Sequence, residues 1–204
     1  MTTEQEPLLL YLLGDSLTEG YVDFGTDFHS YSINLQKRFK QAGIEVVVKE
    51  EGVSGDRVRS KNMEKRLRKF LGEVSNKNQR VDWVIIMGGT NDLFTSSAES
   101  IFEALKGLYD VCEEYNTKVL AMSIIESRAA LSSSKNNDKR TKINEFIKDY
   151  AKTNENVTFY DLAKDLPYED NLDWDLDGLH LTTSGYDRMG DLIFESLYKE
   201  IKPN

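Results

Sequence analysis

The chain has 204 residues, 39% hydrophobic and 30% charged, which excludes an intrinsically disordered polypeptide and a membrane-like one. Its formal charge of −9 at pH 7 excludes general affinity for nucleic acid or anionic lipid surfaces. Cys112 is the single cysteine, so neither an intrachain disulfide nor a cysteine metal cluster can form.

In chain order, Glu4, Glu6 and Pro7 open the sequence without the basic segment and small-residue cleavage site of a secretory signal. No apolar run approaches the ~18 residues of a membrane span. The expected compartment is reduced and soluble, most simply the cytoplasm, with no membrane insertion. Residues 8–13 read as a first strand, and Ser16 follows directly in Gly14-Asp15-Ser16-Leu17. Tyr21, Phe24, Phe28 and Tyr31, mixed with Asp23 and Asp27, read as a loop walling the space after Ser16. His29 within that loop is assigned no catalytic role.

Gly43 fits the stop of a helix, residues 44–48 read as a second strand, and Ser54-Gly55-Asp56 follows it. Arg57, Arg59, Lys61, Lys65, Arg66, Arg68 and Lys69 then read as a basic helix with a solvated outer face. A third strand over 81–87 runs into Gly88-Gly89-Thr90-Asn91-Asp92. Ile101, Leu105, Leu108, Val111 and Tyr115 mark one helix face; Ile143, Phe146, Ile147 and Tyr150 mark another. Strands over 118–124 and 157–160 complete the set, and Tyr186, Met189, Ile193, Leu197 and Ile201 mark the last helix.

Apolar runs without strict alternation suit strands buried on both faces of a parallel sheet. Alternated with helices, they predict an α/β fold: a three-layer α/β/α sandwich with about five parallel strands, flavodoxin-like, forming one domain over residues 1–204. In such a sheet ligands bind outside the carboxyl ends of the strands. The turns carrying Ser16, Gly55 and Asn91 therefore converge on one rim.

The residues there suit acyl transfer. Ser16 is the candidate nucleophile, and with only two histidines in the chain His180 is the candidate base. Asp177, three residues before it, would orient the imidazole, the i, i+3 spacing placing both on one side of a helical turn. Asp173 and Asp175 compete for that role. The Ser16 and Gly55 N–H groups and the Asn91 amide are candidate oxyanion donors, with Asp15 and Asp92 as supporting residues. Asp173-Trp174-Asp175-Leu176-Asp177-Gly178 copies half of a calcium loop, but Ser184 stands where a bidentate Glu is needed and residues 167–172 do not read as the preceding helix.

Taken in order, Gly14-Asp15-Ser16-Leu17, Gly52-Val53-Ser54-Gly55-Asp56, Gly89-Thr90-Asn91-Asp92 and Asp177-Gly178-Leu179-His180 strongly resemble the four blocks of the GDSL, or SGNH, hydrolase family. The resemblance implies hydrolysis of esters or thioesters through an acyl-serine intermediate on a small-molecule substrate, with no metal or organic cofactor. The chain departs from many relatives over residues 123–138, where proline-containing sequence is replaced by a polar stretch. Short-chain or small neutral esters are the expected substrates. An acyl-CoA thioesterase, docking its phosphates on the basic helix, and a carbohydrate O-deacetylase would share every catalytic residue. A flavodoxin-like binding module is the rival outside enzymes, although Asp15 and Glu19 place acids where a phosphate loop should lie.

Overall fold

Strand β1 (Leu8–Gly14) is the axis on which the site is built. Its side chains alternate: Leu10 and Leu12 enter one core, Tyr11 and Leu13 the other, and all four are fully buried. A strand sealed on both faces needs apolar residues at successive positions, which is why its sequence shows no polar alternation. The computed structural model describes residues 6–168 and 172–202. Glu4 and the middle of the 167–172 stretch lie outside them.

β1 pairs in parallel with β4 (Val46–Gly52) on one side and β5 (Trp83–Ile86) on the other. β6 (Lys118–Met122) and β7 (Val157–Tyr160) extend the sheet in parallel, giving the order β4-β1-β5-β6-β7. Helices α2 (Ser32–Gln41) and α8 (Thr183–Ile201) pack on the Leu10 face. Helices α3 (Asn62–Ser75), α4 (Ala98–Glu114) and α6 (Ser134–Ala151) pack on the Tyr11 face. The result is the expected α/β/α sandwich with five parallel strands. Strand order reverses between β1 and β5, so the crevice at their carboxyl ends is the ligand position that this topology favours.

Four sequence expectations shift, two of them simply because the third and fourth strands are shorter, Trp83–Ile86 within 81–87 and Lys118–Met122 within 118–124. The second strand runs over Val46–Gly52, later than residues 44–48, because its ladder with β1 continues through Lys49, Glu50 and Glu51 to pair Gly14 with Gly52. β4 is an edge strand, and backbone pairing carries these charged residues as readily as the valines. The basic helix also begins later, at Asn62. Arg57 and Arg59 flank and occupy a separate 3-10 turn (Val58–Ser60), and Lys61 takes a left-handed φ of 66° that turns the chain into α3.

Short elements surround the carboxyl rim: α1 (Ser16–Glu19), a hairpin of β2 (Tyr21–Val22) with β3 (Asp27–Phe28), α5 (Arg128–Leu131) and α7 (Leu162–Asp165). No helix among the described residues is long and apolar enough to cross a membrane.

Candidate active site

Ser16 opens α1 two residues after the end of β1, with Asp15 between them. Asp15 caps that helix, its Oδ1 accepting the Leu17 N–H at 3.1 Å, so the cap fixes the turn while leaving the Ser16 hydroxyl free. That hydroxyl lies 2.8 Å from His180 Nε2, across 164 residues of sequence. His180 Nδ1 in turn lies 2.6 Å from Asp177 Oδ2. A hydroxyl, an imidazole and a carboxylate thus stand in one hydrogen-bonded row, which can pass a proton from oxygen to ring while the carboxylate holds the ring's orientation.

The Asp–His spacing does not work through a helical turn. Residues 176–180 form a tight turn in which Asp177 Oδ1 accepts the Leu179 N–H at 2.8 Å and the His180 N–H at 2.9 Å. The carboxylate folds its own backbone around itself, and this brings the ring to its other oxygen. Burial pushes the Asp177 carboxyl upward, but the His180 ring and these two N–H groups outweigh it and hold the acid below its usual range. Gly178 has φ +72°, and a Cβ there would stand 2.7 Å from Arg128 Cβ, so the turn admits only glycine.

The 123–138 segment is what presses on that turn. The Arg128 N–H donates to the Gly178 carbonyl at 2.8 Å, and its guanidinium reaches the Leu176 carbonyl and the Tyr168 hydroxyl. The segment's start is fixed by α6: Asn144 Oδ1 accepts the Ile124 N–H, while Asn144 Nδ2 and Arg140 donate to the Ile124 carbonyl. A polar scaffold therefore buttresses the His180 turn.

Asp173, Asp175 and Asp177 have separate commitments. Asp173 pairs with Arg188, Asp175 accepts the Asp23 N–H of the hairpin, and Asp177 holds His180. Of the three, only Asp177 is within bonding distance of the imidazole. On the other side, the Tyr21 ring lies against the His180 ring at 4.3 Å between centroids. The aromatic stretch after Ser16 therefore reaches the site through Tyr21 alone among its four aromatics: Phe24 and Phe28 are exposed and Tyr31 is buried in the core. His29 pairs with Asp187 instead, at 2.8 Å.

The other candidate oxyanion donors, Gly55 and Asn91, follow β4 and β5, the two strands that flank β1. The Ser16 and Gly55 N–H groups have no acceptor among the described residues. Gly55 takes φ +76° in a turn closed by the Asp56 N–H and the Val53 carbonyl. Asn91 Nδ2 donates to the Asp56 carbonyl at 2.9 Å and, more weakly, to Asp15 Oδ2 at 3.5 Å.

What locks these turns together is an ion pair that sequence reasoning assigned to solvent. Arg66 Nη2 meets the buried Asp56 carboxylate at 2.7 Å, and Arg66 also donates to the Glu51 and Gly14 carbonyls. One guanidinium thereby ties the ends of β1 and β4 to the Gly55 turn, using the fan of donors that only arginine offers. Glu19 adds a second tie by accepting the Ser54 N–H at 2.8 Å. No motif announces Arg66; its one signal is a large cation ten residues after an acid in a glycine turn.

Asp15 and Asp92 are buried beneath this floor. Burial pushes the Asp15 carboxyl up to about 7, and the neighbouring charges of Asp56 and Asp92 add to it, while the Leu17 N–H works the other way. Asp92 is raised as well, chiefly by burial, although its Oδ2 accepts the Val58 N–H.

A cavity of about 280 Å³ opens beside Asn91 and Asp177, lined also by Arg57, Phe94, Thr95 and Ser127.

Set against known proteins, the chain is a carboxylic ester hydrolase. It belongs to the GDSL-like Lipase/Acylhydrolase family, whose model matches residues 12–188. Comparison with curated proteins gave no match. Among solved structures, the lipase/acylhydrolase from Enterococcus faecalis is similar with a TM-score of 0.75 at 23% identity, over 97% of this chain and 98% of that one. The family 3 carbohydrate esterase of Clostridium thermocellum gives a TM-score of 0.71 at 20% identity, over 93% and 94%. The psychrotrophic esterase EstA from Pseudoalteromonas sp., in a structure inhibited by monoethylphosphonate, gives 0.69 at 17%, over 95% and 98%. At these identities the likeness is one of fold.

Proposed function

We propose that the protein hydrolyses short-acyl carboxylic esters through an acyl-serine intermediate on Ser16, as one catalytic domain spanning residues 1–204. The observation that carries this reading is the 2.8 Å approach of Ser16 Oγ to His180 Nε2, with Asp177 on the far nitrogen. His180 takes the hydroxyl proton as Ser16 Oγ forms its bond to the ester carbonyl carbon. The oxyanion is received by the Ser16 and Gly55 N–H groups and the Asn91 amide, each donor contributing about 3 kcal/mol at the transition state. When the intermediate collapses, the carbon–oxygen bond to the alcohol breaks and His180 delivers its proton to the departing oxygen. Water, deprotonated by the same ring, then adds to the acyl carbon and releases the acid with Ser16 restored.

The cavity of about 280 Å³ beside Asn91 supports a short acyl group or a compact alcohol. A panel of para-nitrophenyl esters of rising acyl length tests this. Turnover is expected to be highest for acetate to butyrate and to fall at least about tenfold by octanoate, since forcing extra methylenes into a filled pocket costs roughly 1–3 kcal/mol. A flat profile would cancel the short-acyl preference.

Carbohydrate O-deacetylation is the second reading, favoured by the hydroxyl-bearing Thr90, Thr95 and Ser127 on the cavity wall. Faster turnover of acetylated sugars than of matched simple acetates would select it.

A further inference from the structure

The cavity beside the hydroxyl–imidazole row holds one fixed positive charge whose role the reaction leaves open. Arg57 lines it, two residues after Gly55, and its own N–H is held by Asp56 Oδ1 at 2.9 Å. Its guanidinium makes no ion pair among the described residues. The acids around it are already engaged: Asp56 by Arg66, Asp92 by the Val58 N–H, and Asp177 by His180. Elsewhere Arg38, Arg66, Arg68, Arg140 and Arg188 each meet a carboxylate. An arginine facing a cavity with its planar fork unspent, in a chain with this excess of acids, is suited to a carboxylate or phosphate from outside.

The surroundings extend the same chemistry. Arg59 donates to Ser96 Oγ at 2.9 Å, and Ser96 lies with Phe94 and Thr95 on an adjoining cavity of about 510 Å³. Lys135 and Lys139 line that second space. The two cavities share Phe94 and Thr95, and the second is lined by Glu99 and Asp138 as well as by its lysines.

We propose that Arg57 selects esters carrying an anionic substituent, a carboxylate or phosphate, seated in this cavity while the ester carbonyl lies at Ser16. The proposal rests on the ester-hydrolase reading of Ser16, Asp177 and His180, and it replaces the expectation of neutral substrates. The competing role for Arg57 is to favour the charged form of the buried Asp92 carboxyl, against the burial that raises it.

Matched substrates separate the two. Mono-para-nitrophenyl glutarate against para-nitrophenyl valerate places the charge on the acyl part; acetylated glycerol phosphate against acetylated glycerol places it on the alcohol part. The quantity read is the ratio of kcat/KM for the charged member to that for the neutral one, in wild type, Arg57→Gln and Arg57→Lys. For one of the pairs the wild-type ratio is expected to be about tenfold or more, from one charge-assisted contact. It should fall to about one in Arg57→Gln and be partly retained in Arg57→Lys. Since the ratio is internal to each protein, partial loss of folded enzyme cancels. Raised salt should shrink the wild-type ratio as the contact is screened, giving a reading that needs no variant. A wild-type ratio at or below one for both pairs, or a ratio unchanged in Arg57→Gln, would overturn the proposal while leaving Ser16-dependent hydrolysis standing. No hydrolysis of any member would remove the ester-hydrolase reading itself, and this inference with it.

Discussion

Ser16→Ala is expected to stay folded and to lose at least about 10³-fold in kcat on a short ester, the scale seen when a member of such a row is removed. The loss is large because, among the described residues, Ser16 supplies the hydroxyl within bonding distance of His180 Nε2. The fold survives because the substitution removes one oxygen from a position where Asp15, not Ser16, supplies the helix cap. Residual activity would come from the oxyanion donors and from substrate positioning, which do not need the hydroxyl. Circular dichroism and thermal melting check the fold; initial rates check the chemistry. Undiminished turnover would remove Ser16 from the mechanism.

Asp177→Asn is expected to cost about 10³- to 10⁴-fold in kcat with little change in KM. The carboxylate accepts three N–H groups, from Leu179, His180 and the His180 ring, at 2.8, 2.9 and 2.6 Å. An amide has one acceptor oxygen, so its NH₂ must face a donor or the turn must open. If the NH₂ faces the ring, Nδ1 becomes the acceptor and the proton moves to Nε2, where it can no longer take one from Ser16. The same change bears on stability. Because the folded carboxyl is held below its ordinary value of 3.8, its contribution is present above that pH and is lost as pH falls through the lower folded value. Asp177→Asn removes that acid-side dependence. Kinetics with a saturating ester and melting between acid and neutral pH measure both effects. An unchanged kcat would show that the carboxylate does not set the ring's state.

Much of this site is legible in the sequence, for a physical reason. A parallel strand buried on both faces must be apolar at successive positions, so β1, β5 and β6 stand out from the residues around them. Polar, glycine-bearing turns that follow such strands share one rim by topology, which places Ser16, Gly55 and Asn91 near one another before any distance is measured. What stays hidden is held by contacts between distant side chains. Lys49, Glu50 and Glu51 belong to β4 through backbone pairing that is indifferent to their charge. Arg66 looks like one more solvated cation in a basic run, and only the fold turns it onto Asp56 and the Gly14 carbonyl. Arg57 leaves the same run in the opposite sense, because the helix starts five residues later, at Asn62. The Asp177 turn keeps the three-residue spacing but achieves it by self-capping, which a helical rule cannot anticipate.

Rapid quenching of the enzyme with an excess of para-nitrophenyl acetate, followed by mass analysis of its peptides, addresses the chemistry at its first covalent step. The account predicts a burst of nitrophenol matched by one acetyl group on the peptide containing Ser16, absent in Ser16→Ala and longer-lived in Asp177→Asn. Steady turnover with Ser16 unmodified, or an acetyl group carried by a different residue, would contradict it.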